Sequence, residues 1–70
     1  MNALHTQILA AHNTDDRPAL VRLYTQAADE ANCIDAACFF LTHAFVFALE
    51  AGAAEAALLH ARLKAHGREE

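Results

Sequence analysis

Two cysteines and five histidines are the residues of this chain best suited to binding a metal or reacting as nucleophiles. Cys33 and Cys38 lie five positions apart, which is not the C-x-x-C spacing of zinc or thioredoxin-like sites. No two histidines have the i, i+4 spacing with which one helix grips zinc. We therefore expect no metal site and no cofactor, and we expect the histidines to be solvated or near helix ends. A helical bundle that binds a small ligand or a metal through histidine and cysteine residues is the alternative hypothesis.

Cys38 has two interpretations. It lies in the first turn of a predicted helix, where the positive end of the helix dipole makes a thiol more reactive. A buried cysteine that packs as a small apolar residue is the other interpretation. The spacing of the residues does not decide between them.

Catalytic motifs are missing from the sequence. The chain has no serine, no nucleophile elbow, and neither the glycine-rich loop nor the lysine of a phosphate-binding loop. His43 and Glu50 share one helix face, but a pair on a convex helix has no pocket around it. We therefore expect no catalytic residues and no enzymatic activity.

Length and charge limit the remaining classes of function. Seventy residues make a single domain, 1–70, near the lower size at which one core stabilises itself. The net charge of −4 and the lack of a basic stripe argue against nucleic-acid binding. The apolar run 36–49 is too short to cross a bilayer and is bounded by acidic residues, so we expect no membrane insertion. The N-terminus lacks a basic segment followed by a long apolar one, and we expect a cytoplasmic protein.

Helix start and stop signals divide the chain into four segments. They predict helices at 2–12, 17–31, 35–51 and 53–66, joined by connections short enough to favour antiparallel neighbours. The fold class is therefore all-α, a small bundle of three to four antiparallel helices. The residues expected at the helix boundaries are Asn2, Asp15 or Asp16, Pro18, Asp35 and Gly52.

The third segment, "CFFLTHAFVFALEAG", is apolar on nearly all sides. At 100° per residue, one face consists entirely of apolar residues and must be core. Together with the amphipathic second segment and the fourth, it predicts a core made of Leu20, Leu23, Tyr24, Ala27, Phe40, Leu41, Ala44, Phe45, Ala48, Leu59 and Leu63.

The opposite face of this helix mixes large apolar residues with a few polar ones. Since burying one phenylalanine contributes roughly 1.5–3 kcal/mol, leaving this face wet would forfeit much of a small domain's stability. Either the first helix covers it or a second copy of the protein does, and both can apply. We favour a homodimer, because small cores often need oligomerisation and two-fold pairs are the commonest solution. The predicted interface is Phe39, His43, Val46, Phe47 and Glu50.

The hairpin "FVFALEAGAAEAALLHARL" resembles a tetratricopeptide-type (TPR-like) helix pair. Gly52 stands at the tight turn, and Ala57 and Ala61 stand where that pattern has small residues for close packing. The tail is also similar to that of small uncharacterised bacterial helical proteins. The tetratricopeptide resemblance implies a protein-interaction scaffold without catalytic residues. The sequence thus predicts a helical protein–protein interaction module that acts as a homodimer and binds a protein partner it does not identify.

Overall fold

Four α-helices make up the computed structural model, which describes residues 3–67. They are Ala3–Asn13 (α1), Arg17–Glu30 (α2), Ile34–Ala51 (α3) and Glu55–Ala65 (α4). The described residues contain no β-strand. The prediction of an all-α fold with four helices is confirmed.

Local signals end and begin the helices at two of the predicted boundaries. Asp16 caps α2, its carboxylate accepting a hydrogen bond from the backbone N–H of Ala19 at 3.3 Å, and Pro18 lies in the first turn. Gly52 ends α3 with φ 65°, a left-handed conformation that glycine adopts without steric cost. The first boundary lies in the turn between α1 and α2, and the second in the turn between α3 and α4.

Two predicted boundaries are wrong. Asp35 does not cap α3: the helix begins at Ile34, Cys33 occupies the N-cap position in extended conformation, and its carbonyl accepts the first bond, from Ala37 N–H at 3.0 Å. The carboxylate of Asp35 instead lies in the first turn, where the helix dipole also favours it. The fourth helix begins at Glu55, two residues later than predicted. The predicted cap Asn2 lies outside the described residues.

Helices that follow one another in the chain pack together: α1 on α2, α2 on α3, and α3 on α4. The antiparallel course of α2 and α3 is visible where Arg17 bonds to Glu50 at one end and Tyr24 stacks on His43 near the middle. The molecule is flat, with extents of 32 × 29 × 12 Å. A flat arrangement leaves one face of α3 without a neighbouring helix.

The first helix does not cover that face. It packs along α2 and reaches α3 at its edge, where the His12 ring lies 5.7 Å from the Phe47 ring. Leu4 and Ile8 pack around a small cluster formed by Ala11 with α2. The sequence left two possible coverings of this face, α1 or a second copy of the protein. The covering by α1 is not present in this structure.

The main core lies where α3 meets α2 and α4. Every residue predicted to be core is buried except Tyr24, Phe40 and Phe45, which are half-buried and pack against the buried cluster. Because the molecule is thin, these three aromatic rings extend to its surface and are partly exposed. The fully buried centre combines leucines, Leu41 and Leu63, with alanines, Ala44 and Ala48, and the alanines let the helices approach closely. The buried residues outside the predicted core set are Ala11, Ala19, Val21, Ala28 and Cys38.

Candidate protein interface

The five residues predicted to form an interface are not equally available. Phe39 and Val46 are exposed, at 57% and 44% of their surface. His43 and Phe47 are half-buried, and Glu50 is exposed. The structure thus divides the predicted set into an exposed apolar part and a part that is tied to neighbouring helices.

Leu49 belongs with the exposed part, although it is not among the interface residues predicted from the sequence. It is 58% exposed, and it follows Phe39, Thr42 and Val46 at steps of three, four and three residues. This 3-4-3 spacing is that of the a and d positions of a coiled coil, where one helix packs along another. We call Phe39, Thr42, Val46 and Leu49 the α3 outer face.

The polar groups on or beside the α3 outer face already have hydrogen-bond partners in their own helix. The Thr42 hydroxyl donates to the Cys38 carbonyl at 2.8 Å. His43 Nδ1 lies 2.9 Å from the Phe39 carbonyl oxygen, and since a carbonyl only accepts, Nδ1 carries the proton. Covering the Thr42 hydroxyl and His43 Nδ1 would therefore leave neither of these two donors unsatisfied, which lowers the penalty of burying polar atoms.

An ion pair closes one end of the α3 outer face. Arg17 Nε lies 2.9 Å from Glu50 Oε1, and Arg17 Nη1 lies 3.3 Å from Asp15 Oδ2. The pKa of Arg17 is raised, chiefly by its hydrogen bond to Glu50 and then by the charge of Asp15. The N-terminus of α2 thus places a guanidinium group, paired with two carboxylates, beside the C-terminal end of α3.

An aromatic cluster supports the α3 outer face on the side of α2, nearer to the middle of the helix. Tyr24 of α2 stacks on His43 and Phe47, with ring centroids at 5.1 and 5.8 Å, and the His43 ring lies 4.5 Å from Phe39. The Tyr24 hydroxyl is 2.9 Å from His12 Nε2, and burial raises the pKa of Tyr24. These contacts hold His43 and Phe47 in the chain's own packing, so Phe47 presents less surface than the sequence predicted.

A second exposed apolar surface lies between α2 and α4. A groove of about 470 Å³ runs there, and its most exposed large residue is Leu58, at 68%. An ion pair between Arg62 and Asp29, 2.6 Å long, crosses from α4 to α2 at this groove. Its lining comprises Thr25, Glu55, Leu58, Leu59, Ala61, Arg62 and Ala65.

The candidate metal and thiol residues remain scattered. Among residues 3–67, no three histidine, cysteine or acidic side chains are grouped closely enough to hold a metal ion. Cys33 is exposed and Cys38 is buried at 3% exposure. The burial of Cys38 agrees with its interpretation as a small apolar residue.

The hydropathy of α3 also bears on membranes. Its 18 residues have a mean hydropathy of 1.6, and within the described part of the chain it alone is long and apolar enough to cross a bilayer. Length and composition are weak evidence here, because the core helix of a globular domain meets the same criteria. In this structure, α2 and α4 pack against two sides of α3 and form the core with it.

Comparison with known proteins gives no identification. No model of a known protein family matches the chain, and neither a curated protein nor a solved structure matches it significantly.

Proposed function

We propose that this protein is a helical protein–protein interaction module that pairs with a second copy of itself through the α3 outer face. One observation carries the proposal: three large apolar side chains stand exposed at coiled-coil spacing on a helix whose nearby donors, the Thr42 hydroxyl and His43 Nδ1, are already hydrogen-bonded. When a second helix covers such a surface, apolar area is removed from water, which is favourable, and these donors keep their hydrogen bonds.

The area of the α3 outer face limits the expected affinity between the two copies. A standard interface buries roughly 800 Å² per partner, and three partly exposed side chains supply only a fraction of that area. The flat shape of the molecule lets its neighbouring helices add to the contact. A concentration-dependent dimer in the micromolar range is the expected result, not a permanent one.

The α3–α4 hairpin supports the same class of function through its resemblance to tetratricopeptide pairs. Gly52 makes the tight turn of that pattern with its left-handed conformation. Ala57 and Ala61, however, are exposed, so they do not contribute to packing within this chain. The packing role that the tetratricopeptide resemblance implies for Ala57 and Ala61 is therefore not met, and the resemblance rests on the turn at Gly52.

Dilution followed by NMR would test the proposal. Backbone amide spectra recorded from millimolar to low micromolar concentration should shift mainly for the stretch 39–49, because those amides are nearest to the departing copy. Amides of α1 serve as the internal control and should stay in place. Shifts centred on 55–65 would assign the contact to the groove between α2 and α4, and spectra without any concentration dependence would contradict pairing.

A further inference from the structure

The α3 outer face has a symmetry along its own length. The larger side chains, Phe39 and Leu49, lie at its two ends, and the smaller ones, Thr42 and Val46, lie between them. The midpoint of these four positions is residue 44. If a second α3 runs in the opposite direction about this midpoint, Phe39 meets Leu49 of the other copy and Thr42 meets its Val46. The two helices can then approach closely at the centre, while larger side chains fill both ends.

Electrostatics distinguishes the two possible directions. In a parallel pair, Asp35 would lie beside its own equivalent, and so would Glu50, while the two helix dipoles would align. In the antiparallel pair the dipoles oppose. Asp35 of each copy then approaches the C-terminal end of the partner's α3, where Arg17 lies bonded to Glu50. The antiparallel direction therefore avoids placing Asp35 against Asp35 and Glu50 against Glu50, and this is the electrostatic difference between the two arrangements.

We propose, on the basis of the function proposed above, that two copies of this chain pair through antiparallel α3 helices centred on residue 44. The contact is isologous, since each copy presents the same surface to the other. His43 of each copy lies one residue from the centre, at the edge held by Tyr24.

Cys33 provides a native probe of this arrangement. It is exposed at the start of α3, whereas Cys38 is buried, so a nitroxide label attached to the unaltered protein goes to Cys33. In the antiparallel pair the two Cys33 positions are 22 residues apart along the helix direction. At 1.5 Å per residue the separation is about 33 Å. In a parallel pair they lie side by side, under about 20 Å apart even when the helices cross.

Pulsed electron–electron double resonance at concentrations where the dimer forms measures this distance. A peak near 33 Å supports the antiparallel pair, and a peak below 20 Å overturns it. A sample that mixes two differently labelled copies reverses the expected distances, so that the antiparallel pair gives the shorter one. One copy is labelled at Cys33 and the other at residue 51, through Ala51→Cys with Cys33→Ser. The antiparallel pair then predicts a separation of roughly 10 Å, because the two labelled ends meet, and the parallel pair predicts about 27 Å.

Sedimentation of the same labelled samples separates the two levels of the proposal. If the protein forms a dimer but the Cys33 distance is short, the antiparallel arrangement is wrong and the proposed function stands. If the labelled and unlabelled proteins are both monomeric, the proposed function fails and the arrangement fails with it.

Discussion

Replacing Phe39 by glutamate should separate the two copies without unfolding either one. Phe39 is 57% exposed in the single chain, and its ring contacts are with Phe40 and His43 on the same helix. A substitution at so exposed a position should lower the free energy of unfolding by less than about 1 kcal/mol. Circular dichroism and thermal melting at low micromolar concentration, where the dimer is dilute, should therefore be nearly unchanged.

The effect on association should be much larger. An aromatic side chain buries roughly 200 Å² when fully covered, so the exposed part of Phe39 amounts to about 110 Å² and about 3 kcal/mol per copy. A two-fold contact contains this residue twice. Even if the partner covers only half of the exposed part, the pair loses about 3 kcal/mol. The dissociation constant then rises at least 100-fold, and a desolvated carboxylate adds to this.

Size-exclusion chromatography with light scattering, run from 5 to about 200 µM, measures the change. Wild-type protein should elute with a mass that rises with concentration, and Phe39→Glu should stay at the mass of one chain. Leu9→Glu is the matched control, because Leu9 is 49% exposed on α1 and lies off the α3 outer face. If Phe39→Glu associates as strongly as Leu9→Glu, the assignment of the interface to α3 is refuted.

Three further predictions concern stability and chemistry. Leu41 is fully buried, so Leu41→Ala should cost about 2–5 kcal/mol in denaturant unfolding; a loss below 1 kcal/mol would show that the site is not core. Burial raises the pKa of Tyr24 above its usual value near 10, which favours the neutral phenol in the folded state. The stabilisation is complete below pH 10 and is lost as pH rises through the raised pKa, so wild-type stability should fall more steeply above pH 10 than that of Tyr24→Phe. Equal slopes for the two proteins would contradict this effect. A chelator or a reductant should leave the melting temperature nearly unchanged, and a drop of many degrees would indicate a structural metal or a disulfide.

Much of this fold could be predicted because its signals are local. The helix boundaries follow from short motifs, such as two aspartates with a proline two residues later, or a glycine at the end of an apolar run. The faces of a helix follow from a rotation of 100° per residue. Neither rule requires knowledge of the rest of the chain. Cys33 shows the limit of such rules. Cysteine is not a preferred N-cap residue, so capping preference selected Asp35, whereas the N-cap position is taken by the extended Cys33, two residues earlier.

The sequence predicted which side of α3 forms the candidate interface, but not how exposed each residue on that side is. The helical projection placed Phe39 and Val46 opposite the core, and both are exposed. Phe47 was predicted to share that interface, but its environment depended on how closely Tyr24 and His12 approach from the neighbouring helices. Leu49 is adjacent to the buried Ala48, and its exposure depends on the direction that α4 takes after Gly52. The exposure of residues at the edge of a helix face is decided by tertiary packing, which cannot be deduced from the periodicity of a single helix.

Pairing of wild-type protein through α3 is the central claim, and sedimentation equilibrium at tens of micromolar tests it most directly. One chain has a mass of 7.6 kDa. We predict a weight-average mass that approaches twice this value as concentration rises and returns toward one chain on dilution. A mass of one chain throughout this range would contradict the claim, and the exposed side chains of α3 would then need another explanation.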